Sequence, residues 1–294
     1  MDLRHHVIHF GDCLDLGQHA DDRLHLIRAS GRGMQVDVPP GWVSIWLPLS
    51  GQLSLESAGC EWELGTRHTQ VWRESRLQCR SRTSCWWLGL AGSARAWTQA
   101  LHRQTSRQHE ELFPWQGRIS RDAARLLVRL AHQGQRAPRE TAREPDPLLR
   151  ALWSCLTEQQ QDLHACLQRC TGRTHDRRQQ TLLRLLRVQH QIRCNPDIRL
   201  DLESLARTAS YSPCHLIRVY RSVFDETPFE YAVRLREQRA WRMVSGTGLP
   251  ICEITEMLGF ESQSAFCRAF KNTFGATTSE VRRASAFTPQ RRAA

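Results

Sequence analysis

Lysine is almost missing from this chain. Of 41 basic residues in 294, one is lysine, Lys271, and the rest are arginine, which reads as coding bias more than chemistry. Long apolar runs are missing too. Nothing approaches the roughly 20 residues that span a bilayer, so no membrane segment is expected. The opening residues, MDLRHHVIHFGDCLD, hold no apolar stretch of the kind a secretory signal needs. A cytoplasmic protein is expected, with its eleven cysteines as reduced thiols. There is no CxxC pair; the closest spacing is Cys166-x3-Cys170. His5, His6 and His9 cluster early, but no nearby Cys/His pair completes a zinc spacing, so neither metal nor cofactor is expected.

What is present is positive charge, unevenly spread. The formal net charge is +11. The first 102 residues are balanced at ten of each sign, residues 103–186 carry an excess of six positive charges, and residues 187–294 an excess of five. A basic later part points to a polyanionic partner, nucleic acid or an anionic membrane.

Residues 23–90 read as β-structure. Short apolar segments (LHLIRA, MQVDV, WVSIWLPL, QLSLES, TQVW, CWWLGL) alternate with turn residues such as Pro39-Pro40-Gly41 and Ser50-Gly51, as in a small barrel or sandwich. Six of ten tryptophans fall here. Trp42, Trp46 and Trp72 are the candidates for lining a ligand pocket, against the plainer role of core. From about Gly92 the period turns helical. Residues 120–133 form a helix capped by Ser120, residues 134–147 are turn-rich, and 147–170 read as one long amphipathic helix able to pack on its own domain or on a second copy. Residues 171–180 read as the interdomain linker running into the next helix.

The strongest signal is a repeat. In GFESQSAFCRAFKNTFG, 259–275, Phe266, Ala269, Phe270 and Phe274 recur at i, i+3, i+4 and i+8, one face of a helix. Arg268 and Lys271 share another face. Fifty residues earlier, YSPCHLIRVYRSVFD repeats the stripe as Leu216, Val219, Tyr220 and Phe224, with Arg218 and Arg221 at the matching basic positions. A short helix precedes each, LESLARTASY and ICEITEMLGF. Two helix–turn–helix units are therefore expected, at 202–224 and 251–274, joined by a helix over 228–245. Such a motif sets its second helix into the DNA major groove. A connecting helix of roughly 26 Å could hold two reading helices about one DNA turn apart.

On the tandem units, the Arg236-to-Ala240 element and the segment IxEIxxxLGFESQSAFxRAFKxxFG, residues 187–283 resemble the DNA-binding domain of the AraC/XylS family of bacterial transcription regulators. The resemblance implies a multidomain α+β chain: a β-rich, cupin-like sensor and dimerisation domain with C-terminal helices over 1–175, and an all-α DNA-binding domain over 187–286. By position in the family pattern, Cys214, Ile217 and Arg218 would face bases in the first unit. Ser264, Ala265, Cys267 and Arg268 would do so in the second, with Gln263 at the rim. Arg218 and Arg268 can each grip a guanine edge. Arg221 and Lys271 are placed for phosphates, and His215 for a phosphate or a base. Two positions depart from the pattern: Asp225 stands where glycine is usual and Thr278 where proline is usual.

The expected function is sequence-specific transcription regulation, by family habit activation. The partners are double-stranded DNA and RNA polymerase, with a small-molecule effector or protein partner and a second copy as further candidates. The alternatives are a cysteine-based redox-responsive regulator, or an enzyme fused to a DNA-binding domain. The enzyme reading is weak. Between 23 and 90 the histidines are His25 and His68, forty-three residues apart, with no H-x-H pair for a metal cupin, and no cysteine cluster marks a DNA-repair transferase.

Overall fold

Strands buried on both faces lose the alternation that marks a half-exposed strand, and WVSIWLPL and CWWLGL are two such strands. The computed structural model describes residues 3–19, 22–73, 75–101, 111–133, 146–194 and 200–286. The turn-rich segment expected after residue 133 lies mostly outside these. Contacts divide the chain into two units, Met1–Leu183 and Arg184–Ala294.

Among the described residues the first unit holds eleven strands: β1 Leu3–Ile8, β2 Cys13–Asp15, β3 Leu24–Gly31, β4 Gln35–Val38, β5 Val43–Ser50, β6 Gln52–Ser57, β7 Cys60–Gly65, β8 His68–Trp72, β9 Leu77–Arg80, β10 Cys85–Gly92 and β11 Trp115–Arg118. They form a six-stranded sheet, β1-β3-β10-β5-β8-β11, and a five-stranded sheet, β2-β4-β9-β6-β7. Pairing is antiparallel except β1 with β3 and β2 with β4. The period-2 alternation of a strand sorts β3 between two cores. Ile27 and Ala29 join Val36, Leu53 and Cys79 in a cluster shared by the two sheets. Leu24 and Leu26 face the other way, onto the helices α1 Ala94–Leu101, α2 Arg121–Gln133 and α3 Pro147–Gln159. β5 and β10 divide in the same way, which is why they read as unbroken apolar runs.

Trp42, Trp46 and Trp72 lie in the shared cluster between the sheets. Trp46 is fully buried and its indole N–H donates to Ser44 Oγ at 2.9 Å. It lies flat over Gly89, where a Cβ would come within 2.5 Å of the ring. These tryptophans form the packed interior of the sandwich.

Two helix ends differ from the sequence reading. Residues 147–170 are not one helix: α3 stops at Gln159, and α4 runs Gln161–Arg169. The buried Gln160 between them pairs with the backbone of Phe113, accepting from its N–H at 2.8 Å and donating to its C=O at 3.1 Å. The side-chain amide thus satisfies both backbone groups of the buried Phe113. The next helix, α5, runs His175–Cys194, so the stretch expected to run into a helix becomes helical at residue 175, and the division between units falls inside α5. Ser120 caps α2 as expected, its Oγ accepting from Ala123 N–H at 3.2 Å.

Replacing Gln160 with leucine leaves the Phe113 N–H and C=O unpaired, and each such group costs about 1–3 kcal/mol. Urea unfolding followed by tryptophan fluorescence should show a lowered midpoint, and a wild-type midpoint contradicts this role for Gln160. Asp37 provides a pH test. Burial pushes its carboxyl up, but hydrogen bonds from Gln35, Gln78 and Arg76 hold it, on balance, below the ordinary carboxylate range. A lowered carboxyl stabilises the fold above the ordinary range, and that contribution is lost as pH falls through its folded value. Asp37→Asn should therefore flatten the acid limb of the stability–pH curve, whereas an unchanged acid limb removes Asp37 from it.

Candidate nucleic-acid interface

The second unit repeats itself down to its caps. In the first helix pair, α6 Leu202–Ala209 is capped by Asp201, whose carboxylate accepts from Glu203 N–H at 3.0 Å. The chain turns at Ser210 in the left-handed region, φ 55°. Ser212 then opens α7 Pro213–Phe224, accepting from His215 N–H, and Asp225 closes it at φ 61°. In the second pair, α9 Ile251–Met257 is followed by Gly259 at φ 69°. Ser262 opens α10 Gln263–Phe274, accepting from Ala265 N–H at 3.2 Å, and Gly275 closes it at φ 69°. Both pairs run into reciprocal capping boxes. Thr227 and Glu230 open α8 Pro228–Gly246, with bonds of 2.7 and 3.2 Å, and Thr277 and Glu280 open α11 Thr278–Ala286 with the same two lengths. The backbone N–H groups of Thr227 and Thr277 hold the two glutamate carboxyls below their ordinary range. The first box has proline at N1 and the second has Thr278.

The left-handed positions explain the glycine expected at Asp225. A side chain with a Cβ is strained there, by about 1–2 kcal/mol, and the first unit carries serine and aspartate where the second carries Gly259 and Gly275.

Each second helix is pinned by its stripe. In α7, Leu216, Val219, Tyr220 and Val223 are buried. The Tyr220 ring lies 4.8 Å from Phe224 and 6.4 Å from Tyr231 of α8, and burial pushes its hydroxyl well above the ordinary tyrosine range. In α10, Phe266 and Phe270 enter a core with Ile254, Leu258, Met243 and Val281. The aromatic rings run in series: Phe260 to Phe266 at 5.3 Å, Phe266 to Phe270 at 5.8 Å, Phe270 to Phe274 at 4.7 Å. Trp241 of α8 stacks on Phe270 at 6.0 Å and nearly parallel. The early part of α8 thus serves the first pair and its later part the second, over 19 residues or roughly 28 Å.

With the stripes inside, the opposite faces are fixed. Cys214, Arg218 and Arg221 are exposed on α7; Gln263, Ser264, Arg268 and Lys271 are exposed on α10. His215, Ile217, Ala265 and Cys267 are half-buried. Cys267 packs against the second core, its sulfur 4.0 Å from Thr278 Oγ1, so it stands apart from the exposed strip. Arg218 is held: its Nη2 lies 3.0 Å from His215 Nδ1, and His215 packs edge-on to Tyr211 at 4.7 Å. Arg268 makes no such contact among the described residues. The Tyr211 pairing and both capping boxes escaped the sequence reading, though T-P-F-E at 227–230 and T-T-S-E at 277–280 stand fifty residues apart and signal the repeated box.

In the first unit, β1 lies beside β3 and brings His6 to His25, Nε2 to Nδ1 at 2.9 Å, with the His19 ring 5.5 Å from His6. Among the described residues the donor atoms of these three do not all come within 4.8 Å of one another. They form a stacked imidazole group beside Trp42, its ring 5.3 Å from His25.

Two successive helix–turn–helix pairs, each presenting an exposed basic face, make this a DNA-binding fold of the tandem kind. A family model described as a helix-turn-helix domain matches residues 205–284. The regulatory protein SoxS of Salmonella typhimurium is 34% identical over 86 residues, 29% of this chain and 80% of that protein. The chain belongs to the AraC/XylS family of transcription regulators. The RCS-specific transcriptional activator RclR of Escherichia coli is 36% identical over 99 residues, 34% of this chain and 35% of that protein. The chain thus spans about a third of the length of the first curated relatives it matches. Among solved structures, the C-terminal domain of AraT, a response regulator from Geobacillus stearothermophilus, is 27% identical over 37% of this chain and 93% of that one, with TM-score 0.32. Among the described residues no helix is long and apolar enough to cross a membrane.

Ser210→Gly should raise the stability of the second unit by about 0.5–1 kcal/mol, the relief of left-handed strain less the added freedom of the unfolded chain. Gly259→Ala should lower it by a similar amount. Thermal melting of the two variants checks both, and shifts of the same sign contradict the left-handed assignment.

Proposed function

We propose that this chain is a transcription regulator that reads two successive major-groove boxes on double-stranded DNA with α7 and α10. The observation that carries this is the repeated geometry: a buried stripe, the same serine cap, and an exposed basic pair at Arg218/Arg221 and again at Arg268/Lys271. Arg218 and Arg268 read base edges, and a bidentate arginine–guanine pair discriminates by about 1–3 kcal/mol. Arg221 and Lys271, near the far end of each helix, meet phosphates. Cys214, Ile217, Ser264 and Ala265 contact bases or leave room for them, Gln263 lies at the rim, and Cys267 supports the helix from behind. His215 stands beside Arg218.

Family membership supports the remaining features of this reading. The first unit is the sensor and dimerisation part, covering 1–175 in our assignment, and the DNA-binding part covers 187–286. The chain acts in the cytoplasm as an activator that engages RNA polymerase, responds to a small molecule or protein partner, and has no enzymatic activity. Effector binding would work by shifting the population of DNA-competent molecules.

The test is binding to a cognate duplex and its single-base variants. Arg268→Ala should lose about 1–3 kcal/mol on the cognate site and relax one base position. An unchanged base preference counts against base reading. Lys271→Ala should weaken binding on all sequences alike and lower the salt slope by about one unit; a wild-type slope takes Lys271 off the phosphates.

A further inference from the structure

We infer that His215 is a positioning residue for Arg218, so that the first reading helix carries a held arginine and the second a free one. This rests on the reading above, in which Arg218 meets a base.

A guanidinium has only donors, so the 3.0 Å contact between Arg218 Nη2 and His215 Nδ1 requires Nδ1 to accept. The imidazole is then neutral, with its proton on Nε2. The ring itself is fixed from behind. Tyr211, in the turn before α7, packs edge-to-face on it at 4.7 Å, and the Arg184 guanidinium of α5 lies 5.5 Å from the Tyr211 ring centre. One N–H of the Arg218 fork is used, and the others remain for a base edge.

The second unit provides an internal contrast. Ala265 stands where the first unit has His215, and Phe260 stands where it has Tyr211. Phe260 packs on Phe266 of the core instead, at 5.3 Å. Arg268 makes no hydrogen bond or ion pair among the described residues, so it must be ordered at the moment of binding. An arginine already held in place loses less side-chain freedom on docking.

The experiment is competition binding by the full chain on a duplex selected by the wild-type protein, with single-base changes in each box. His215→Ala should cut discrimination at the first box by about 3- to 10-fold, the freedom of one long side chain, and leave the second box unchanged. His215→Asn, whose Oδ1 replaces Nδ1 as acceptor, should restore it. The inference is overturned if His215→Ala keeps first-box discrimination, or if it weakens every sequence equally, the mark of a phosphate contact. Arg218→Ala separates the two levels. If it leaves the first box sharp, the base-reading role itself fails; if it blurs the box while His215→Ala does not, only the positioning role fails.

Discussion

The rotation of each reading helix about its own axis is the constraint on which the second unit depends. A helix with apolar side chains at i, i+3, i+4 and i+8 has one orientation that buries them. In α10 that orientation sends Phe266 and Phe270 into the core and leaves Arg268 and Lys271 outside. In α7 it buries Leu216, Val219 and Tyr220 and leaves Arg218 and Arg221 outside. The hydrophobic face sends the basic residues outward, and the serine cap before each helix sets where that face begins.

The two pairs meet this constraint with different chemistry. The second relies on aromatic surface, a series of rings from Phe260 to Phe274 with Trp241 laid across it, and on glycine at both left-handed turns. The first places serine and aspartate at those turns and adds polar ties. Gln191 of α5 donates to Ser204 and accepts from Thr208, and Arg234 forms a close pair with Glu226. An aromatic pile is non-directional, whereas hydrogen bonds fix side chains at particular angles. The first pair thus carries more local strain and more directed contacts, and the second more buried aromatic area.

Much of the second unit was legible in the sequence because its signals are local. Caps, helix stripes and stop residues lie within a few positions of what they control, and the fifty-residue repeat made each signal count twice. The first unit was less legible. β1, LRHHVI, carries charged and imidazole side chains and becomes a strand by lying parallel to β3, a pairing no local pattern announces. β2 has three residues, and β11, WQGR, contains a glycine and joins the sheet edge through β8. The three-imidazole group followed from that hidden pairing, since His6 and His25 meet only once β1 is placed. The break at Gln160 was invisible for the opposite reason: the helical period continues through it, and only the distant Phe113 backbone explains why the chain stops. The tryptophans show the limit of residue type as a guide, because a pocket and a packed core draw on the same side chains.

The central claim is that one chain reads two boxes with two separate helices. Selection of bound duplexes from a random pool, at near-physiological salt, tests it most directly. Two separate reading helices should select a bipartite motif whose box centres lie about one helical turn apart, roughly 10–10.5 base pairs. A pool with one box, or with no recurring sequence and only a steep salt dependence, would contradict it.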